Sequence, residues 1–76
     1  MKKGKLKHNA SNDRYGIWSN GQWLNSGFHC GECLEILIND TWVPTRIEMD
    51  WSEQGNRWYL VGTGFIGNLN EIIARI

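Results

Sequence analysis

The sequence predicts an all-β fold, on three observations. Short runs rich in β-branched and aromatic residues (RYGIW, QWL, CLEILI, TWVPTRIEM, RWYLVG) are separated at close intervals by Ser-Asn-Gly, Asn-Ser-Gly, Asn-Asp and glycine-rich stretches, the pattern of strands joined by turns. No segment keeps apolar residues at helical spacing for ten residues or more, which limits helix to a single turn. Finally, CLEILI and TWVPTRIE flank Asn39-Asp40, two residue types able to take the positive φ of a two-residue hairpin loop.

Residues 1–13, MKKGKLKHNASND, are polar, with Leu6 the lone strand former, and end in turn chemistry. They read as a basic, mobile N-terminal arm that ends in a short strand around Lys5 to His8, ahead of a single domain over residues 14–76. A loop at Asn39-Asp40 sets the central hairpin in register: Ile38 opposite Thr41, Leu37 opposite Trp42, Ile36 opposite Val43, Glu35 opposite Pro44 and Leu34 opposite Thr45. Side chains alternate across a strand, so Leu34, Ile36, Ile38, Val43 and Ile47 share the core face. Leu37 and Trp42 share the other, with Glu35 diagonal to Arg46 and in reach of an ion pair. Pro44 has no N–H to donate, which places its strand at an edge or a bulge there. DWSEQGN reads as a polar loop, RWYLVG as a further strand, and NEIIARI, where Ile72, Ala74 and Ile76 alternate with Ile73 and Arg75, as a strand closing an otherwise exposed edge. Five or six strands of about five residues each suit a small SH3-like, partly open antiparallel barrel.

A chain of 76 residues is one domain and buries only about 60% of the surface its unfolded form exposes. Trp18, Trp23, Trp42, Trp51 and Trp58 can each remove roughly 150–250 Å² from water, and most of them are expected in the core. The formal charge is zero, but Lys2, Lys3, Lys5 and Lys7 crowd the first seven residues while the rest carries four arginines against eight acids. An acidic body argues against a broad phosphate-neutralising face; a nucleic-acid-binding barrel using those four lysines is the alternative reading. Two cysteines cannot build a disulfide framework, no apolar segment follows the lysines, and no apolar run is long enough to span a bilayer, so a reducing cytoplasm is the expected location.

The pieces Arg14-Tyr15 with Ile17, Leu24, Gly31-Glu32 with Leu34-Glu35-Ile36, Trp42 with Thr45-Arg46-Ile47-Glu48, Trp58-Tyr59-Leu60 and Ala74-Arg75-Ile76 stand in an order that resembles the domain of unknown function DUF5348. That family comprises short bacterial proteins, largely from Firmicutes and often from phages and conjugative elements. The resemblance covers residues 14–76 and implies a bacterial, mobile-element context without an activity.

His29-Cys30-Gly31-Glu32-Cys33 is the stretch with the most chemistry. Structural zinc takes four ligands, and this chain has one Cys pair with His8 and His29, so Cys30 and Cys33 would need the arm or a second chain to complete a site, as in a zinc-bridged dimer. A redox pair wants a helix N-terminus to stabilise its thiolate, whereas Cys33 runs straight into LEILI. The stretch therefore reads as a turn made by Gly31 and a strand start, with one cysteine half-buried. Paired acids such as Glu32 with Glu35, or Glu48 with Asp50, read as solvated edge charges. Gly62-Thr63-Gly64-Phe65-Ile66-Gly67 lacks the Lys-Ser/Thr ending of a phosphate loop.

No residue set reads as catalytic, and no cofactor is expected. The favoured binding surface is Leu37, Trp42, Arg46 and Glu48, since a Trp beside an Arg is the composition of binding hot spots. The expected function is a non-catalytic protein–protein interaction module, monomeric or weakly dimeric.

Overall fold

In the computed structural model, which describes residues 2–52 and 55–76, seven strands form one antiparallel sheet. They are β1 (Lys3–Asn9), β2 (Arg14–Ser19), β3 (Gln22–Asn25), β4 (Cys33–Ile38), β5 (Thr41–Ser52), β6 (Gly55–Leu60) and β7 (Ile73–Arg75), in the spatial order β3-β2-β1-β7-β4-β5-β6. The described residues contain no helix, and the fold is the small, partly open all-β barrel that the strand pattern predicts.

Turn chemistry sets the local pairings. Asn39 and Asp40 take φ of 49° and 64°, and the β4–β5 register is the expected one at all five predicted pairs, continuing to Cys33 opposite Arg46. Asn20-Gly21, with φ of 52° and 80°, closes the β2–β3 hairpin between Ser19 and Gln22 in the same way, since positive φ at both central positions matches the twist of the flanking strands. At Pro44 β5 is an edge: β6 joins it only from Ile47 onward, so the missing N–H faces no partner strand.

Two boundaries differ from the sequence reading. Residues 3–9 are not an arm but the third strand of the sheet, paired with β2 through Leu6 and Ile17 and with β7 through Gly4 and Ala74. The lysines concealed this strand, because Lys3, Lys5 and Lys7 point outward while Gly4, Leu6 and His8 point inward, leaving Leu6 as the lone apolar mark of an alternating pattern. The domain thus begins near residue 3, and β1 raises the strand count from the expected five or six to seven. The DWSEQGN stretch is strand up to Ser52 and again from Gly55; its remaining positions, 53 and 54, lie outside the described residues.

The core comprises Leu6, Tyr15, Ile17, Phe28, Leu34, Ile36, Ile47, Leu60, Leu69 and Ala74. No tryptophan is among these buried residues, although half-buried Trp58 packs against them, which corrects the expectation that most tryptophans lie in the core. Leu, Ile and Phe fill the inner face, and strand parity sends Trp18 and Trp42 to the outside, opposite Lys5 and Leu37. The connection from β6 to β7 crosses the barrel and buries Leu69. Its backbone is fastened by Tyr15, whose hydroxyl donates to the Gly67 carbonyl (3.2 Å) and accepts from the Leu69 N–H (3.1 Å), so a core phenol satisfies polar groups that a crossing loop would otherwise leave unpaired.

Candidate interaction surfaces

Two surfaces emerge from the strand parities, one on each face of the sheet. The outer face carries the predicted residues. Leu37 and Trp42 are adjacent and half-buried, and Arg46 and Glu48 form an ion pair at 3.5 Å. Glu35 does not reach Arg46. It accepts from Arg75 Nε at 2.8 Å, because β7 lies beside β4 and puts Arg75 opposite Glu35. The Arg75 guanidinium also lies 4.0 Å from the centroid of the Trp42 ring. The closing strand thus clamps the predicted hot spot. A depression of about 630 Å³ opens beside it over Leu34, Pro44 and Val61 with Arg46 and Arg75 at its rim, yet neither Trp42 nor Leu37 lines it.

Further along the same face, β1 presents Lys3, Lys5 and Lys7 beside two tryptophans. Trp18 lies opposite both Lys5 and Trp23, the two indoles meet edge to face at 4.9 Å, and Lys7 Nζ sits 4.1 Å over the Trp18 ring. Lys5 pairs with Glu71 at 3.1 Å, and Lys2 is exposed at the start of the strand. The basic residues are therefore laid out on a strand next to aromatic rings.

The inner-face surface was not foreseen. The β5–β6 pairing runs from Ile47 opposite Leu60 to Ser52 opposite Gly55, longer than the core beneath it. Parity keeps Met49, Trp51 and Trp58 on the side of buried Ile47 and Leu60, while Asp50 and Arg57 face outward in an ion pair at 3.2 Å. Past the core, the apolar side faces a cleft of about 520 Å³ whose opposite wall is Asn12, Arg14, His29 and Cys30. Trp51 is 71% exposed there, the most exposed of the large apolar side chains among the described residues. Across the cleft the Arg14 guanidinium donates to His29 Nδ1, which fixes that nitrogen as an acceptor, and the Trp58 indole N–H donates to the Asp13 carbonyl at 3.3 Å. The signal for this surface was present in the sequence as the parity of residues 47, 49 and 51; reading DWSEQGN as loop hid it.

His29-Cys30-Gly31-Glu32 is a turn. The Glu32 N–H donates to the His29 carbonyl at 3.2 Å, Gly31 takes φ of 88°, and Glu32 Oε1 accepts from the His29 N–H at 2.6 Å, the glycine meeting the positive φ that such a turn requires. Both cysteines are exposed and free, so neither is the half-buried one expected; parity puts Cys33 on the outer face opposite Arg46. His8 is committed elsewhere, to Asp13 at 2.8 Å, and among the described residues no group of three or more His, Cys, Asp or Glu could hold a metal ion.

The model of the domain of unknown function DUF5348 matches residues 4–76. The chain belongs to the DUF5348 family. The match starts inside β1, in accord with a domain that includes that strand. A protein from Ruminococcus gnavus, known from a crystal structure, is 34% identical and superposes with a TM-score of 0.79, the alignment covering 99% of this chain and 100% of that one. No curated protein matches.

Proposed function

We propose that this DUF5348 chain is a non-catalytic protein-interaction module of the bacterial cytoplasm, encoded on a mobile element as the family resemblance implies, and that its partner docks in the cleft under the β5–β6 hairpin. The observation that carries this reading is Trp51, a large apolar side chain 71% exposed on the inner side of a hairpin whose outer side is polar. Around it stand Met49, Trp58 and Arg14, and Trp, Met and Arg are the residue types enriched where proteins bind one another. The cleft offers an aromatic anchor and a guanidinium on facing walls, suited to a partner that inserts an apolar side chain beside a hydrogen-bond acceptor. The similarity to a Ruminococcus gnavus protein supports the bacterial setting, and two exposed free thiols suit a reducing compartment.

The test is a pulldown from the native host with the wild-type chain, Trp51→Ala and the Trp42→Ala/Arg46→Ala double variant, followed by affinity measurement on the recovered partner. Trp51→Ala is expected to weaken binding about thirtyfold, the effect of losing a hot spot worth about 2 kcal/mol, with the double variant close to wild type. The reverse result would move the docking surface to Leu37, Trp42, Arg46 and Glu48.

A further inference from the structure

The row of lysines on β1 supports an inference about a second surface, on the opposite face of the sheet from the cleft. Lys3, Lys5 and Lys7 occupy alternate positions of one strand, so their side chains project from the same side about 6.7 Å apart at Cα. That interval is comparable to the spacing of successive phosphates along an extended single strand of nucleic acid. Beside the row stands Trp18, edge to face with Trp23, and two depressions flank it. One, of about 430 Å³, is lined by Lys3, Lys5, Trp18 and Ile73 among others; the other, of about 490 Å³, by Lys5, Lys7, His8 and Trp18 together with Asn70 and the Glu71 carboxylate. Each depression thus has a lysine rim and a share of the same indole.

We infer that this face binds a single-stranded nucleic acid, with Lys3, Lys5 and Lys7 on successive phosphates and a base stacked on Trp18. Charge complementarity and an aromatic platform are the two components of sequence-tolerant single-strand binding. Lys7 now lies over the Trp18 ring, where the base would go. Stacking of a base on an indole is a stronger interaction than an exposed cation–π contact, so the base displaces the ammonium, which moves to the adjoining phosphate. Glu71 holds Lys5 in an ion pair whose side chains are 61% and 77% exposed; such a pair contributes little and gives way to a phosphate. The strand offers an edge-on row of charges rather than a broad basic face, which suits a flexible single strand better than a duplex and is compatible with a chain of zero net charge.

The experiment is fluorescence anisotropy of a labelled oligo-dT titrated with the full chain at several salt concentrations, alongside a labelled poly-glutamate of matched length. Saturable oligo-dT binding is expected, with log affinity falling against log salt at a slope of about −2, from three phosphates at about 0.7 each, so that raising salt from about 50 to about 200 mM weakens binding about fifteenfold. The Lys3→Gln/Lys5→Gln/Lys7→Gln variant changes only exposed side chains and should retain the fold, lose most of that slope and bind at least tenfold more weakly. Trp18→Leu should cost about tenfold with the slope retained, and Trp51→Ala should change nothing, which separates this surface from the proposed protein-binding cleft. No saturable binding at low salt, a slope unchanged in the triple variant, or poly-glutamate bound as tightly as oligo-dT would each overturn the inference, the last in favour of an acidic protein segment.

Discussion

Trp18 and Trp51 occupy the two ends of one sheet and have opposite surroundings. Trp18 belongs to the short β2–β3 hairpin, where a two-residue Asn-Gly turn brings Trp23 against it and Lys7 closes over its ring. Trp51 belongs to a hairpin whose strands continue past the core, so that its indole has the apolar side of the sheet beneath it and solvent above. Trp42, between them, has the intermediate arrangement: outer-facing, half-buried and capped by Arg75. Residue type is the same in all three. What differs is strand length relative to the core and whether a neighbouring strand supplies a cation to cover the ring. A tryptophan in a small barrel is therefore structural or available according to the element beside it.

Overpacking the seat of the β2–β3 hairpin should have the largest effect. A Cβ on Gly16 would come well within 3.0 Å of the Asn25 carbonyl oxygen, and that oxygen belongs to backbone that the β2–β3 pairing fixes. Gly16→Ala is expected to cost about 3 kcal/mol or more, the upper end of overpacking penalties, measured by urea denaturation, with Trp18 and Trp23 losing their mutual contact first. Stability within about 0.5 kcal/mol of wild type would show that this hairpin is as loosely seated as the other and remove the contrast between them.

A smaller change should turn Trp42 toward the condition of Trp51. Arg75→Met keeps an aliphatic stem over the ring but removes both the cation–π contact and the hydrogen bond to Glu35. The two contacts are partly solvent-exposed, with Glu35 more than one-third accessible, so the expected loss is only about 1 kcal/mol. Double-mutant cycles with Glu35→Gln and with Trp42→Leu apportion it; coupling to Trp42 at or below zero would mean that the guanidinium covers the ring without holding it.

Much of this architecture was legible in the sequence, and the parts that were not have identifiable causes. Asn39-Asp40 and alternation were sufficient to place the central hairpin residue by residue, because a one-residue slip would turn Leu34, Ile36 and Ile47 out to solvent. β1 was obscured by its own composition: an outer face made of lysine leaves only Leu6 to mark the strand. Size alone puts most of the tryptophans in the core, but parity turns Trp18 and Trp42 outward, and Trp51, although on the inner side, lies past the end of the buried cluster. Arg75 as the partner of Glu35 and Trp42 could not be read at all, since the pairing joins β4 to β7 across some forty positions of sequence. The candidate site divides accordingly: Leu37, Trp42, Arg46 and Glu48 were local to one hairpin and were found together on one face, whereas the cleft needs Arg14 and His29 to meet Trp51 through the fold.

The smallest expected effect is the most discriminating. Trp51→Ala removes a large aromatic side chain, and in a core such a change costs about 3–5 kcal/mol. Here it should fall within about 0.5 kcal/mol of wild type, as for a surface substitution, because the indole is 71% exposed and lies beyond the buried cluster. Denaturation midpoint and slope should both be unchanged, since equal slopes report equal surface exposed on unfolding. A loss of 2 kcal/mol or more would show that Trp51 is packed against Met49 and Trp58 as an extension of the core, and that the cleft is closed in solution. Stability that stays constant while partner binding falls would instead establish that the barrel maintains this side chain for recognition, at no benefit to its own fold.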